Sequence, residues 1–410
     1  MSQTKMVFRS SIIAFLLAVL SASAALARTS TPSTGKTTKR DGKVAESSRA
    51  RKRMSRLRHS RATASTHARS RRHRHYYERF YTSSFADDIT AGDITTGEDP
   101  VVRQAAIDAL GNMNGTVVAI DPTNGRVLAM VNQKLALSEG AQPCSTIKLS
   151  VALAALSEQV VTPATLVPVG RRSSVDLTEA LAKSNNAYFE ALGRKLGFEK
   201  VSYYAHQFGL GELAGFNIEG EHLGVFPSQE LDAKLGGVGK MCSFGESISM
   251  TPLQLGAMVS AIANGGTLYY LQHPGAPEEI LNFQPKIKRQ LDIGPLIPEI
   301  SLGMMGAVDY GTARSLRLNF NEEQILGKTG TCSKDGTRFG WFASYANTQF
   351  GHIVAVVFLR GGRPTFGPKA AEISGKFYRG LYDHKFFTDP ATAASSHTPS
   401  EKSATVGTQQ

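Results

Sequence analysis

Ser145-Thr-Ile-Lys148 sets a hydroxyl and an amine three residues apart, and a helix brings positions i and i+3 onto one face. A serine hydroxyl attacks a carbonyl only once a base takes its proton. A lysine amine is that base when burial or nearby charge lowers its pKa. A helix N-terminus adds free backbone N–H groups and a favourable dipole. The same spacing recurs at Ser33-Thr-Gly-Lys36 in a Ser/Thr/Pro/Gly-rich stretch, so the pair alone also fits a plain helix cap. Ser184-Asn185-Asn186 then interrupts a helical stretch. Ser184 is a candidate proton relay there and Asn186 a candidate holder of Lys148 and a substrate amide; the plainer reading is a local helix break. Lys328-Thr-Gly-Thr331 falls on an expected strand, where Lys328 and Gly330 face one way and Thr329 and Thr331 the other. A lysine with hydroxyls on a sheet edge suits a carboxylate, and Gly330 admits a substrate backbone. The plainer reading is an edge lysine that discourages strand pairing.

Several elements must position these groups. Residues 101–111 read as a short helix. Gly115–Asp121 and Arg126–Val131 read as a β-hairpin across the turn Pro122-Thr-Asn-Gly125. Apolar residues recur at helical spacing from Pro143 to Leu156, with Ser145 at the start, and Val175–Leu196 is mainly helical. Thr251-Pro252 reads as a cap and first helical residue of a helix that stops at Asn264-Gly-Gly266. A helix over 299–313, strands over 324–332, 338–345 and 352–359, and a helix from Lys369 to Tyr382 follow. The expected fold is α/β: a mostly antiparallel sheet joining strands from both ends of the domain, flanked by helices, with an all-helical lobe. The cleft between sheet edge and lobe is the expected site.

The 410 residues carry a net charge of +12, which invites a nucleic-acid partner. Its location argues otherwise. Residues 36–79 hold 16 Lys or Arg and 3 Asp or Glu, a net of +13; the first 28 residues add +3, so the remainder is −4. Lys5 and Arg9, the apolar run Ile12–Leu20 and Ala25-Leu-Ala27 read as an export signal over residues 1–27, which places the body outside the cytoplasm. Residues 28–98 read as a disordered basic linker. Either it is a solvated spacer, or its 36–79 stretch adheres to an anionic envelope surface. The folded domain is expected over 99–385 and a loose tail over 386–410. Three cysteines, Cys144, Cys242 and Cys332, form no CxxC pair, so neither a zinc nor a redox motif is supported, and no metal or cofactor is expected.

Ser145/Lys148, Ser184/Asn186 and Lys328-Thr-Gly330 stand in the order of the three motifs that penicillin-binding proteins share with serine β-lactamases. Over about Asp99 to Leu381 the chain resembles the transpeptidase domain of penicillin-binding proteins. Val118–Met130, Gly209–Glu212 with Gly220–Pro227, Thr251–Leu255 with Ala263–Thr267, and Gly311-Thr-Ala313 extend the likeness. The resemblance implies a β-lactamase/transpeptidase-like fold and attack by Ser145 on the terminal D-Ala–D-Ala bond of a peptidoglycan stem peptide. It implies backbone N–H groups of Ser145 and Thr331 as the oxyanion hole, Lys328, Thr329 and Thr331 on the terminal carboxylate, and β-lactams as covalent inhibitors. Pro143–Lys148 and Lys328–Thr331 followed by Gly340-Trp-Phe342 are similar to class D β-lactamases too. Asn186 stands where that family carries an apolar residue, which favours the penicillin-binding reading. The same motifs also suit a D,D-carboxypeptidase or a non-catalytic β-lactam or muropeptide binder. Cys144 precedes the serine where relatives often have Gly or Ala and reads as a buried packing residue; a bridge to Cys332 requires helix and strand to adjoin.

Overall fold

The computed structural model describes residues 79–388. The expected signal (1–27), most of the basic segment and the end of the tail lie outside those residues. In chain order the elements begin with α1 (Pro100–Leu110), β1 (Gly115–Ile120), β2 (Val127–Val131), α2 (Gln133–Ala136) and α3 (Lys148–Ser157). The lobe that follows is not all-helical as expected, because Arg171 and Arg172 turn an exposed hairpin ahead of its helices: β3 (Val167–Gly170), β4 (Ser173–Val175), α4 (Leu177–Ala182), α5 (Asn186–Leu196), α6 (Phe198–Gln207), α7 (Gly237–Phe244) and α8 (Pro252–Ala263). Next come β5 (Thr267–Tyr269), α9 (Pro277–Leu281), β6 (Ile287–Gln290) and α10 (Ile297–Asp309). The chain closes with β7 (Ile325–Lys334), β8 (Thr337–Asn347), β9 (His352–Gly361) and α11 (Gly367–Asp383).

Five strands form one sheet in the order β2-β1-β9-β8-β7 with every pair antiparallel, so the first hairpin and the last three strands meet as expected. Period-2 alternation divides the core. Val118, Ile120, Val354 and Val356 lie on the face covered by α8, while Val117, Ala119, Ala355 and Val357 lie on the face covered by α1 and α11. Helix α8 is almost wholly buried, and its N-terminus closes by a reciprocal cap between Thr251 and Gln254. A side chain on Gly256 would meet Ile120 Cδ1 at 2.5 Å, so this glycine lets α8 lie close on the sheet. β7 is a sheet edge, which leaves its outer backbone groups for other partners.

Packing begins earlier than the Asp99 boundary read from composition. Tyr81 N donates to Gly336 O at 2.9 Å, and Gly362 N donates to the buried Ser84 Oγ at 2.9 Å. Asp93 accepts from Asn132 N and Gln133 N at the start of α2, and Glu98 accepts from Met130 N. Arg103 pairs with both acids at 2.9 and 2.6 Å. These polar residues serve as buried partners of other elements, a use that composition does not display. At the other end Phe387, expected in the loose tail, is buried beside Phe320. Among the described residues no helix is long and apolar enough to cross a membrane.

Candidate active site

A 3-10 turn, Cys144–Ile147, runs straight into α3, so Ser145 stands at the head of a helical run with Lys148 one turn on. The chain enters through Cys144 in the left-handed region, at φ 53°. That conformation costs a non-glycine residue about 1–2 kcal/mol. Neighbouring contacts hold it. The Trp341 indole N–H donates to Gln142 O at 3.0 Å, and the Gln142 amide donates to Phe244 O and Glu246 at 3.0 and 3.1 Å. Cys144 is buried as expected and also bonded to Cys332, with Cα atoms 5.5 Å apart; the bridge that spacing left open is made. Gly330 requires a correction. A Cβ there would sit 2.8 Å from Pro143 O and 3.2 Å from Thr146 Cγ2, so this glycine admits the turn that carries Ser145 against β7, not a substrate backbone.

The break between α4 and α5 turns its polar groups onto Lys148. Ser184 is left-handed at φ 56°, and Asn185 caps α5 by accepting from Tyr188 N. The helix break and the functional arrangement are one feature. Lys148 is fully buried, with Nζ 3.0 Å from Ser145 Oγ, 2.8 Å from Ser184 O, 3.1 Å from Ser184 Oγ and 2.6 Å from Asn186 Oδ1. The carbonyl and the amide oxygen only accept. A neutral amine therefore donates its two N–H groups to them and turns its lone pair to the hydroxyls. Burial and, after it, the nearby Lys328 push Lys148 down to about 6, against a weaker opposite pull from Glu190. Lys328 is itself buried and pushed down to about 7 by desolvation. Its Nζ donates to Ser184 Oγ at 2.8 Å and Thr329 O at 2.9 Å. Ser184 Oγ thus joins the two amines, in reach of a proton from either.

On β7, Gly330 lies opposite Trp341 and Thr331 opposite Gly340 of β8. Thr329 and Thr331 line a cavity of about 330 Å³ with Ser145 and Ser184. Neither lysine lines it. Four residues of this cavity, Thr312, Arg338, Phe366 and Pro368, were not singled out as site residues from the sequence. Thr312 contacts Thr329 hydroxyl to hydroxyl at 2.5 Å, Arg338 reaches in from β8, and Phe366 closes one end. The Gly311-Thr-Ala313 signature was the only signal for any of them. Among the described residues no group of three or more His, Cys, Asp or Glu is placed to hold a metal ion.

A family profile described as Penicillin binding protein transpeptidase domain matches residues 115–379. The chain is 29% identical over 260 residues to Stage V sporulation protein D of Bacillus subtilis, covering 53% of this chain and 39% of that protein. It is 26% identical over 336 residues to Peptidoglycan D,D-transpeptidase PbpA of Mycolicibacterium smegmatis, covering 64% of this chain and 66% of that protein. The chain thus spans less than two thirds of either relative's length. The crystal structure of the D,D-transpeptidase domain of a peptidoglycan glycosyltransferase from Eggerthella lenta superposes with a TM-score of 0.59 at 19% identity. That match covers 70% of this chain and 82% of the other, and the likeness is one of fold.

Proposed function

The chain belongs to the penicillin-binding protein transpeptidase domain family, and on that premise we propose that it is a serine D,D-transpeptidase of peptidoglycan stem peptides. The carrying observation is a buried amine, pushed down to about 6, held 3.0 Å from the Ser145 hydroxyl. At neutral pH that amine is mostly unprotonated and accepts the serine proton.

In the proposed reaction Ser145 Oγ bonds to the carbonyl carbon of the terminal D-Ala–D-Ala amide as its proton passes to Lys148. The backbone N–H groups of Ser145 and Thr331 receive the oxyanion. Collapse breaks the C–N bond, and the leaving D-alanine nitrogen takes the proton by way of Ser184 Oγ, 3.1 Å from Lys148. An amine of a neighbouring stem then attacks the ester, its proton goes to Lys148, and Ser145 leaves as the alcohol. Asn186 holds Lys148 throughout, and the terminal carboxylate lies against Thr329 and Thr331. β-Lactams enter the first half of this sequence and remain on Ser145.

Ser145→Ala is expected to abolish labelling by a fluorescent penicillin; persistent labelling refutes the assignment. Incubation with a pentapeptide muropeptide, read by mass, is expected to give a crosslinked dimer with loss of D-alanine. Trimmed monomer alone means water is the acceptor, and the enzyme is then a carboxypeptidase. Rapid penicillin turnover instead of a lasting adduct favours the β-lactamase reading. We also propose export through residues 1–27 and adhesion of the 36–79 stretch, with its net +13, to an anionic envelope surface. Salt-insensitive retention of the exported protein on envelope fractions refutes that adhesion.

A further inference from the structure

At the far end of α3 from Ser145 lies a groove of about 650 Å³, against about 330 Å³ for the Ser145 cavity. The two share no lining residue, and the ten-residue helix between them is about 15 Å long. Leu156 and Ile293 are buried in the floor of the groove. The walls are aromatic and amide. Tyr203, Tyr204 and Gln207 come from α6, Gln159 from the turn after α3 and Gln290 from the end of β6. Much of this polar lining is unused by the fold. Among the described residues the side-chain amides of Gln159 and Gln207 and the Tyr203 hydroxyl make no hydrogen bond. Gln290 Oε1 accepts from Thr267 Oγ1 at 3.1 Å, which leaves its NH2 group to donate elsewhere. Asp292 lies exposed on the rim without an ion pair.

Two of these groups are nonetheless held in place. Tyr203 is 57% exposed, yet its ring stands edge-on to Tyr204 at 5.1 Å, and the Tyr204 hydroxyl donates to Glu158 Oε1 at 3.0 Å. Gln159 is left-handed at φ 53°, a position after a helix that glycine fills without strain and glutamine does not. An exposed ring and an amide, both fixed and neither needed for packing, form a preorganised surface. Its chemistry selects the ligand. Glutamine amides donate and accept together, which matches hydroxyl groups. No lysine or arginine lines the groove, so an anion finds no partner there. A sugar ring lays its C–H face on Tyr203 and turns its hydroxyls to the glutamines and Asp292. An N-acetyl group adds an amide for the glutamines and a methyl for the floor at Leu156 and Ile293.

We propose that this groove is a second binding site, one that holds an N-acetylated amino-sugar chain of the glycan strand that carries the stem peptides. The choice of that ligand rests on the peptidoglycan reading of the Ser145 site. A strand held at the opposite end of α3 touches none of the reacting groups. It sets where the enzyme sits on the polymer and leaves the acyl transfer itself unchanged.

The test measures binding of tetra-N-acetylchitotetraose, an amino-sugar oligomer without stems, to the full chain by calorimetry. Cellotetraose, which lacks the acetamido groups, is the comparison. Saturable binding of the first and markedly weaker binding of the second are expected. Tyr203→Ala is expected to weaken the amino-sugar oligomer roughly tenfold, and Gln207→Ala roughly two- to tenfold. Gln159→Gly relieves the left-handed strain, so it is expected to keep or raise the Tm while weakening the sugar; a purely structural Gln159 gives no loss of affinity. Penicillin labelling of Ser145 is expected to be unchanged in all three variants. Absence of saturable binding, equal binding of cellotetraose, or full affinity in Tyr203→Ala overturns the proposal and leaves the acyl-transfer reading in place. Displacement of the oligomer by a sugar-free stem pentapeptide assigns the groove to peptide and overturns it as well. Absence of a penicillin adduct on the unaltered protein overturns the acyl-transfer reading, and the sugar titration reads this groove separately from that result.

Discussion

Asn186→Asp changes almost nothing in shape and adds one negative charge 2.6 Å from Lys148 Nζ. With Lys148 near 6, roughly 97% of the amine is neutral at pH 7.5. At its ordinary 10.5 only about 0.1% is neutral, so burial raises the supply of active base roughly a thousandfold. A carboxylate in contact raises a neighbouring pKa by roughly one to three. A rise of two to three takes Lys148 to about 8 or 9 and leaves roughly 24% to 3% neutral at pH 7.5. The sign follows from which form is active. The neutral amine works, so acylation is present above the pKa and is lost as pH falls through it. The variant is therefore expected to be roughly four- to thirtyfold slower at pH 7.5. Its rising limb moves up from near pH 6 to near pH 8–9. The assay is the second-order constant for labelling by a fluorescent penicillin between about pH 5 and 9.5. Asn186→Ala is the control: it removes the contact without adding charge, so its limb stays near 6 whatever its rate. An Asn186→Asp profile that keeps its midpoint near 6 refutes the identification of Lys148 as the base.

Opening the Cys144–Cys332 bridge frees a sequence separation of 188 residues, which in the chain-entropy account lowers stability by up to about 5 kcal/mol. The Tm is expected to fall in reductant and in the double Ser variant; an unchanged Tm in both refutes a structural role. Gly330→Ala sets a methyl 2.8 Å from Pro143 O, and overpacking of this kind costs about 1–3 kcal/mol. It is expected to slow penicillin labelling more than it lowers Tm, because the atoms that must yield carry Ser145; normal labelling refutes the close approach. Glu98→Ala leaves Met130 N without its acceptor and Arg103 with one acid instead of two. The expected loss is about 3 kcal/mol in denaturant unfolding. A negligible loss means residues 80–98 are not part of the stable body.

Local chemistry was legible wherever a short stretch carries its own reason. The hairpin at Pro122–Gly125, the Thr251-Pro252 start and the three closing strands follow from turn residues, caps and period-2 alternation, and their pairing into one sheet follows from strands at both ends. Ser145, Lys148, Ser184 and Asn186, which the structure brings together, were readable as residue types at fixed spacings. Composition misplaced the domain edge, because Asp93 and Glu98 look like linker residues until their partners at Asn132, Gln133 and Met130 are known.

Long-range contact decided the rest. The sequence contains Ser145, Lys148 and Lys328, but only the fold sets both amines on Ser184 Oγ and removes them from water, and that desolvation, with Lys328 beside Lys148, is what lowers their pKa. The left-handed Cys144, its bond to Cys332 across 188 residues and the place of Gly330 depend on a strand arriving from the far end of the domain. Arg338 reads as an ordinary strand residue until Phe366 lies beneath it and the threonines beside it. Spacing determines which groups share a local face. Desolvation and charge pairing depend on everything packed around that face, and in this protein those neighbours come from elements scattered along the chain.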